Sequence, residues 1–261
     1  MAVPARTEAK NCSTKLHNTM MDTGVHNMKF AKTLVVTALV ASTGVAQADL
    51  SANIGAHSKY IFRGVELSDG AAVSGGLDYT NESGFYAGTW LSDIAGSGTE
   101  MDLYTGFSGE MGSLGYDVNA LYFAYPNGAS GGSNDPEYLE LTLGLSMGPA
   151  SVQLSYTPWE KRDSDIDAPY GEGDWYFALS ADLPMEIDGI SFSGTVGYYD
   201  FDDDGSTATG DLSYTHWNLT ASKKVGDFGT FSLAYDQTDG DNKNAVTNGA
   251  ALFTIGWTKE F

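Results

Sequence analysis

The last eleven residues, Ala251 to Phe261, constrain this chain more than any other segment. Phe253, Ile255, Trp257 and Phe261 share one parity, and Leu252, Thr254, Gly256, Thr258 and Glu260 share the other. That is a period-2 strand with one apolar face and one mostly small, polar face. It ends on an exposed-type aromatic, an uncommon way for a water-soluble chain to finish. The pattern predicts a strand whose greasy face meets something other than water.

The opposite end fits a chain sent out of the cytoplasm. Met28-Lys29-Phe30-Ala31-Lys32 is basic, Thr33 to Val45 is mostly small and apolar, and Ala46-Gln47-Ala48 is an A-x-A cleavage pattern. This reads as a secretory signal peptide over 28–48, too short in its apolar stretch to span a bilayer. Residues 1–27 carry no periodicity and read as an over-extended start ahead of Met28. The mature region is then 49–261.

Removing 1–48 changes the composition. Cys12 goes, which leaves no thiol chemistry. Five basic and two acidic residues also go, leaving 8 basic against 32 acidic and a formal charge of −24. Such a chain repels anions, concentrates cations and has no basic patch for nucleic acid. No remaining apolar run reaches the roughly 20 residues of a spanning helix, so any membrane passage must be a closed barrel.

The mature region reads as one domain of short alternating strands at 50–64, 71–81, 84–93, 99–110, 113–125, 136–147, 150–158, 173–182, 190–200, 212–222, 228–236 and 249–261. In 138–147, Leu139, Leu141, Leu143, Leu145 and Met147 oppose Tyr138, Glu140, Thr142, Gly144 and Ser146. Short connections near 81–84, 110–112, 148–149, 183–189 and 223–227 alternate with longer ones near 65–70, 94–98, 126–135, 159–172, 201–211 and 237–248. Even strand number, alternating loop length and the closing strand together predict an all-β, up-and-down antiparallel transmembrane barrel of about twelve strands. The longer loops would point outward, with both termini in the periplasm. Aromatics near strand ends, among them Tyr60, Phe62, Tyr79, Phe85, Trp90, Tyr122, Tyr125, Tyr156, Trp159, Trp175, Tyr198, Tyr214 and Trp257, read as interfacial girdles. A soluble β-sandwich or ligand-binding barrel shares the alternation. It leaves the terminal Phe and the loop asymmetry unexplained.

Ser58-Lys59-Tyr60-Ile61-Phe62-Arg63-Gly64-Val65-Glu66-Leu67-Ser68-Asp69 resembles the first strand and loop of TorF-family porins (the Gcw_chp conserved hypothetical family). Gly75-Gly76-Leu77-Asp78-Tyr79, Glu82 to Trp90 and Glu100 to Gly109 resemble later segments of the same family. The resemblance covers the mature chain and implies a bacterial outer-membrane barrel that acts as a porin. It brings no catalytic or substrate-binding residues. The closing strand similarly resembles those of outer-membrane barrels, which implies that Phe253, Ile255, Trp257 and Phe261 form a signal read by the barrel assembly machinery.

Candidate site residues follow from parity. His57, Lys59 and Arg63 share the lumen parity of the first strand, and Asp78, Asp102, Glu110, Glu140, Asp174 and Glu260 lie on the polar parity of others. Cations on one wall facing acids on another would set a transverse field at a constriction. The same residues would equally serve as ion pairs filling a narrow, plugged barrel. The alternatives are therefore an outer-membrane channel for small hydrophilic solutes, preferring cations and neutrals, and a plugged barrel with a structural, adhesive or stress-related surface role. No Ser/His/acid arrangement, zinc spacing or phosphate loop is present, so no enzyme and no cofactor are expected. His216 reads as an interface residue. Asp200, Asp202, Asp204 and Asp211, with Gly205, match positions 1, 3, 5, 12 and 6 of a calcium loop. Flanking strands and the short Asp at position 12 argue against it. Acidic loops could also meet lipopolysaccharide through divalent ions.

Overall fold

A computed structural model of the chain describes residues 49–68, 70–95, 98–126, 137–161, 170–202, 211–240 and 249–261. Twelve strands close into one antiparallel barrel. They are β1 (Asp49–His57), β4 (Ala72–Thr80), β5 (Phe85–Ile94), β6 (Gly98–Met111), β7 (Leu114–Ala124), β8 (Glu137–Met147), β9 (Ala150–Lys161), β10 (Trp175–Ile187), β11 (Ile190–Asp200), β12 (Tyr214–Val225), β13 (Gly229–Thr238) and β14 (Leu252–Glu260). Two further short strands, β2 (Ile61–Phe62) and β3 (Val65–Glu66), pair only with each other. Each barrel strand pairs with its neighbours in sequence, and β1 pairs with β14 from Asn53↔Glu260 to His57↔Gly256. Phe261 extends that seam, exchanging backbone hydrogen bonds with Ala52 at 2.9 and 3.3 Å. Closure leaves no strand edge unpaired, the condition for a sheet in hydrocarbon.

The alternation read from the sequence sets the two faces. Leu77, Leu103, Leu141, Leu143, Val196, Leu219, Leu233 and Ile255 point outward and are exposed. Inward neighbours such as Asp78, Asp102, Glu140, Thr142 and Thr254 are buried. A barrel that is apolar outside and polar inside is a membrane barrel, and its place is the bacterial outer membrane. Outward rings gather at both ends. Tyr79, Phe85 and Phe107 form a row with centroids 6.4 and 5.3 Å apart, and Phe228, Phe231 and Trp257 a second group, both at the end of the tight turns. Tyr122–Trp159, Tyr156–Trp175 and Tyr235–Phe253 lie toward the other end.

The turn end uses left-handed residues at its tight reversals. Asp188 (φ 52°) and Gly189 (φ 75°) make a two-residue hairpin of the Asp-Gly kind. The expected connection over 183–189 is therefore strand as far as Ile187. Leu183, Pro184 and Met185 form an irregularity between the Asp182 and Glu186 pairings instead. Pro158 likewise sits where Thr157 and Pro158 oppose the single residue Glu140. Proline has no N–H for the ladder, so a bulge is where a strand accepts it.

Three further expectations are corrected. The first strand, expected over 50–64, leaves the wall after His57, where Ser58 N–H donates to Ile255 O at 2.8 Å. The connection near 94–98 is only three residues, 95–97. Tyr60, Phe62, Trp90 and Tyr214 are buried inside the barrel rather than in a girdle, and Tyr125 packs against the same interior cluster.

Inward glycines make room for rings on the adjacent strand. Gly88 faces Tyr104, and Gly197 faces His216 and Tyr176, so a Cβ at either glycine would collide with those side chains. The ring then lies along the wall instead of standing into the lumen.

Candidate functional site

The lumen divides into two halves. Between β1 and β4 the chain turns inward as a hairpin whose two central residues are Arg63 (φ 48°) and Gly64 (φ 85°). Both left-handed angles fit a two-residue type I′ reversal, though arginine is an unusual occupant of its first position. Tyr60 accepts Leu67 N–H at 2.8 Å through its carbonyl, and Ser68 Oγ accepts Tyr60 N–H at 2.8 Å. Lys59 pairs with Glu66 across the hairpin at 2.5 Å. Ala95 N–H donates to Leu67 O at 2.8 Å, tying the base of the hairpin to the end of β5.

The hairpin crosses the lumen. Phe62 packs edge-on to Phe123 of β7 at 5.9 Å. Gly64 reaches β12 and β13, where an added Cβ would lie 2.7 Å from His216 Cβ and 3.0 Å from Thr238 Cγ2. Tyr60, Phe62, Trp90, Ile94, Leu121, Phe123 and Tyr138 form one buried cluster beside it, and Tyr176, Tyr199, Phe201, Leu212 and Tyr214 form another. Together they fill the loop-end half of the barrel.

Arg63 sits between the clusters. Its Nη2 donates to Glu140 Oε1 at 2.7 Å, with both side chains almost wholly buried. Its Cζ lies 3.8 Å from the Tyr176 ring centroid, 4.6 Å from Phe62 and 5.2 Å from Tyr199. All are within the roughly 6 Å reach of a cation–π contact. Tyr176 is itself set by His216, whose Nε2 lies 2.9 Å from its hydroxyl.

Carboxylates outnumber cations around this point. Glu100 accepts hydrogen bonds from Tyr60 at 2.5 Å and Tyr125 at 3.0 Å. Asp102 has no exposed surface, and among the described residues neither of its oxygens has a hydrogen-bond partner. Glu100 and Glu140 both act on it electrostatically. An ionised carboxylate in such a place is costly without a compensating positive charge.

The turn-end half is polar. Asp78 accepts from the Tyr104 hydroxyl and from Asn53 Nδ2 at 3.4 Å. Asp117 accepts from Tyr86 at 2.8 Å and Asn119 at 2.6 Å. Asp236, toward the loop end of β13, accepts from Asn218 at 2.8 Å. Ser180 bonds to Thr195 at 2.8 Å, both partly exposed, and Asp182 below them is exposed. This half, with exposed Asp182 and partly exposed Ser180, Ser193 and Thr195 beside the buried Asp78 and Asp117, forms a polar vestibule on the turn side.

The expected site residues are thus distributed unevenly. Arg63 and Glu140 meet, Asp102 lies beside Glu140, and Asp78 lines the vestibule. Lys59 belongs to the hairpin and is spent on Glu66. His57 points inward at the β1–β14 seam, against Gly256. Asp174 organises the rim, accepting Gly171 N–H at 2.9 Å and Asp202 N–H at 3.0 Å, while burial pushes its carboxyl up to about 6. Glu110 and Glu260 are exposed near the turn end. His216, expected at an interface, is buried in the lumen because its parity is that of Tyr214 and Asn218. Phe253, Ile255 and Phe261 point outward and are exposed, with Trp257 beside Phe228. Of the calcium pattern, Asp204 lies outside the described residues. The Ser213 hydroxyl and then its N–H, at 2.8 Å, donate to Asp211 and hold its carboxyl below the usual range. Among the described residues no three His, Cys, Asp or Glu side chains converge on a metal position. Sequence reasoning missed Glu100, Tyr176 and Tyr199 as partners of one site. The available signal was Phe62-Arg63-Gly64-Val65, whose Arg-Gly centre is compatible with a tight reversal in a segment read as straight strand.

The family is decided by a model match over residues 41–258. The chain belongs to the Gcw_chp family, bacterial proteins of unknown function. No curated relative matches the sequence. Among solved structures it is similar to the KdgM porin, with a TM-score of 0.50 and 9% identity over 81% of this chain and 98% of that one. It is also similar to the KdgM porin in complex with disordered oligogalacturonate, with a TM-score of 0.51 and 10% identity over 81% and 99%. At this identity the likeness is one of fold. The Gcw_chp barrel described here therefore shares an architecture with a porin, and its lumen chemistry has to be read from its own residues.

Proposed function

We propose that the protein is an outer-membrane channel for passive diffusion of small hydrophilic solutes, a TorF-type porin, with its first outer loop folded inward as the gate. The observation that carries the reading is the inside-out barrel with a polar vestibule. Asp182 is exposed there, and Asp78 and Asp117 lie buried in its wall. Oligogalacturonate, found with KdgM, is a polyanion, and these acids would repel one. The solutes that fit this vestibule are cationic or neutral. The chemistry is non-enzymatic. The closing strand would be read by the barrel assembly machinery. The acidic loops would face lipopolysaccharide, with the Asp200–Asp211 segment as a weak calcium site.

The filled loop-end half favours a channel closed at rest over a permanently open pore. Reversal potentials of the refolded barrel in a KCl gradient test the channel reading. Cation preference is expected, shrinking with salt as the Debye length falls from about 10 Å at 0.1 M to about 3 Å at 1 M. Anion preference would overturn the selectivity. A complete lack of current under every condition that undocks the hairpin would overturn the channel.

A further inference from the structure

Arg63 is held as a bound ligand is held. Its guanidinium is buried, faces the rings of Tyr176 and Tyr199 and donates to Glu140. Those three side chains come from the barrel wall, from β10, β11 and β8, whereas Arg63 comes from a hairpin that only leans on them. The wall therefore contains a complete pocket for a planar cation: a carboxylate for its N–H groups and two aromatic faces for its plane. The bulge at Thr157–Pro158 stands opposite Glu140 and gives that position an irregular, locally defined geometry.

Three features of the occupant make it displaceable. It uses one nitrogen, since Nη1 is buried without a partner among the described residues, so the contact lacks the two-pronged geometry of the strongest guanidinium–carboxylate pairs. It rides on a turn that holds a non-glycine residue at φ 48°, a conformation that carries backbone strain. The surroundings also hold more carboxyl groups than one guanidinium can pair with, because Glu100 and Asp102 lie in the same buried region and Asp102 has no hydrogen-bond partner among the described residues. A solute that brings a second positive group would meet them there.

We propose that Glu140, Tyr176 and Tyr199 form a binding site for guanidinium-bearing solutes, occupied at rest by the chain's own Arg63. An incoming guanidinium competes with Arg63, the hairpin loses its latch, and the same solute that binds opens its own path. The transport consequence rests on the channel reading, but the binding does not and is measured without current.

The test is calorimetric titration of the detergent-refolded barrel with methylguanidinium chloride, using sodium chloride and methylammonium chloride as controls. Arg63→Ala should bind methylguanidinium and not methylammonium to a comparable degree. Wild type should bind it at least about tenfold more weakly, because the tethered side chain competes. Adding Glu140→Gln to Arg63→Ala should weaken binding about ten- to a hundredfold, the loss of a hydrogen bond to a charged group. Folding is followed by the heat-modified gel shift. Should Arg63→Ala not refold, refolding rescued by methylguanidinium but not by sodium supports the site, and failure with both salts overturns it. Arg63→Met, which keeps the aliphatic stem, repeats the titration in a better-packed background. A folded Arg63→Ala that binds no better than wild type, or binding indifferent to Glu140→Gln, overturns the proposal. Bilayer current on the same samples separates the two readings. Binding without current sinks the channel alone, and current without binding sinks the site alone.

Discussion

The two halves of the lumen are walls of the same barrel with the same strand parity, yet they are finished differently. At the loop end, twelve large side chains and an inserted hairpin fill the lumen, and the buried carboxyl groups Glu100, Asp102 and Glu140 surround one guanidinium. At the turn end the acids Asp78 and Asp117 each accept from a neighbouring amide or hydroxyl, and partly exposed Ser and Thr lie beside them. In the first half, one ion pair joins distant segments. In the second the acids are settled locally, strand by strand. The difference teaches where a gate can be. A local network opens nowhere in particular, whereas a single long-range ion pair is a place where one event changes the whole region.

The largest expected effect follows from that ion pair. Arg63→Ala leaves Glu140 buried without its cation, a loss of about 3–5 kcal/mol for the docked hairpin. At 1.4 kcal/mol per decade this shifts the closed-to-open ratio by more than a hundredfold. Single-channel recording should show wild type mostly closed and Arg63→Ala mostly open. Asn119→Ala, which removes one donor to Asp117 in the other half, should cost only about 1–3 kcal/mol and leave gating unchanged. Equal gating changes in the two variants would break the distinction between long-range and local settlement.

A second effect, about 2–4 kcal/mol, concerns the outer wall. Leu143 points to hydrocarbon, and Leu143→Arg should destabilise the barrel by that amount if the position is near the midplane. Inside, the halves should separate. Thr142 is buried and bonded to Ser155 at 2.8 Å, so Thr142→Arg overpacks and should cost about 1–3 kcal/mol. Ser193 is paired with Asp182 in the vestibule and partly exposed, so Ser193→Arg should be nearly neutral. Urea-induced unfolding from lipid vesicles gives the ranking. A Ser193→Arg cost as large as that of Thr142→Arg would mean that the vestibule is as tightly filled as the other half.

The strands were legible because a membrane barrel has to alternate, and one parity error would put Leu143 in the lumen and Thr142 in lipid. The faces of β8, β10, β11 and β14 follow directly from that rule. The hairpin was not legible by the same rule. Residues 58–63 keep the lumen parity of β1, with His57, Lys59, Ile61 and Arg63 in step, so alternation alone extends the strand through them. What ends it is tertiary. Ser58 bonds to β14, the Arg63-Gly64 reversal forms, and burial of Tyr60 and Phe62 inside outweighs continued pairing in the wall. The pairing of Arg63 with Glu140 was expected only as opposition of charge between walls. Its aromatic partners Tyr176 and Tyr199 lie more than a hundred residues away, and a single sequence carries no signal that brings them to one guanidinium.

The smallest effect tests the rim, where the filled half meets the loops. Asp174 and Asp211 both lie outside the strands and differ in burial. Asp211 is exposed and held in its charged form by Ser213, and Asp174 is buried and pushed up to about 6 from 3.8. The folded state thus binds the Asp174 proton more tightly than the unfolded chain does. Its contribution to stability is full below about pH 3.8 and is lost as pH rises through about 6. Asp174→Asn keeps an uncharged side chain of the same shape and removes the titration. Between pH 4 and pH 7 the thermal midpoint of wild type should therefore fall relative to that of Asp174→Asn, by a few degrees at most because the group anchors only the 170–174 and 202 segments. A wild-type-to-variant difference that is the same at both pH values would mean that Asp174 is solvated like Asp211. The dense packing of the loop-end half would then stop short of its rim.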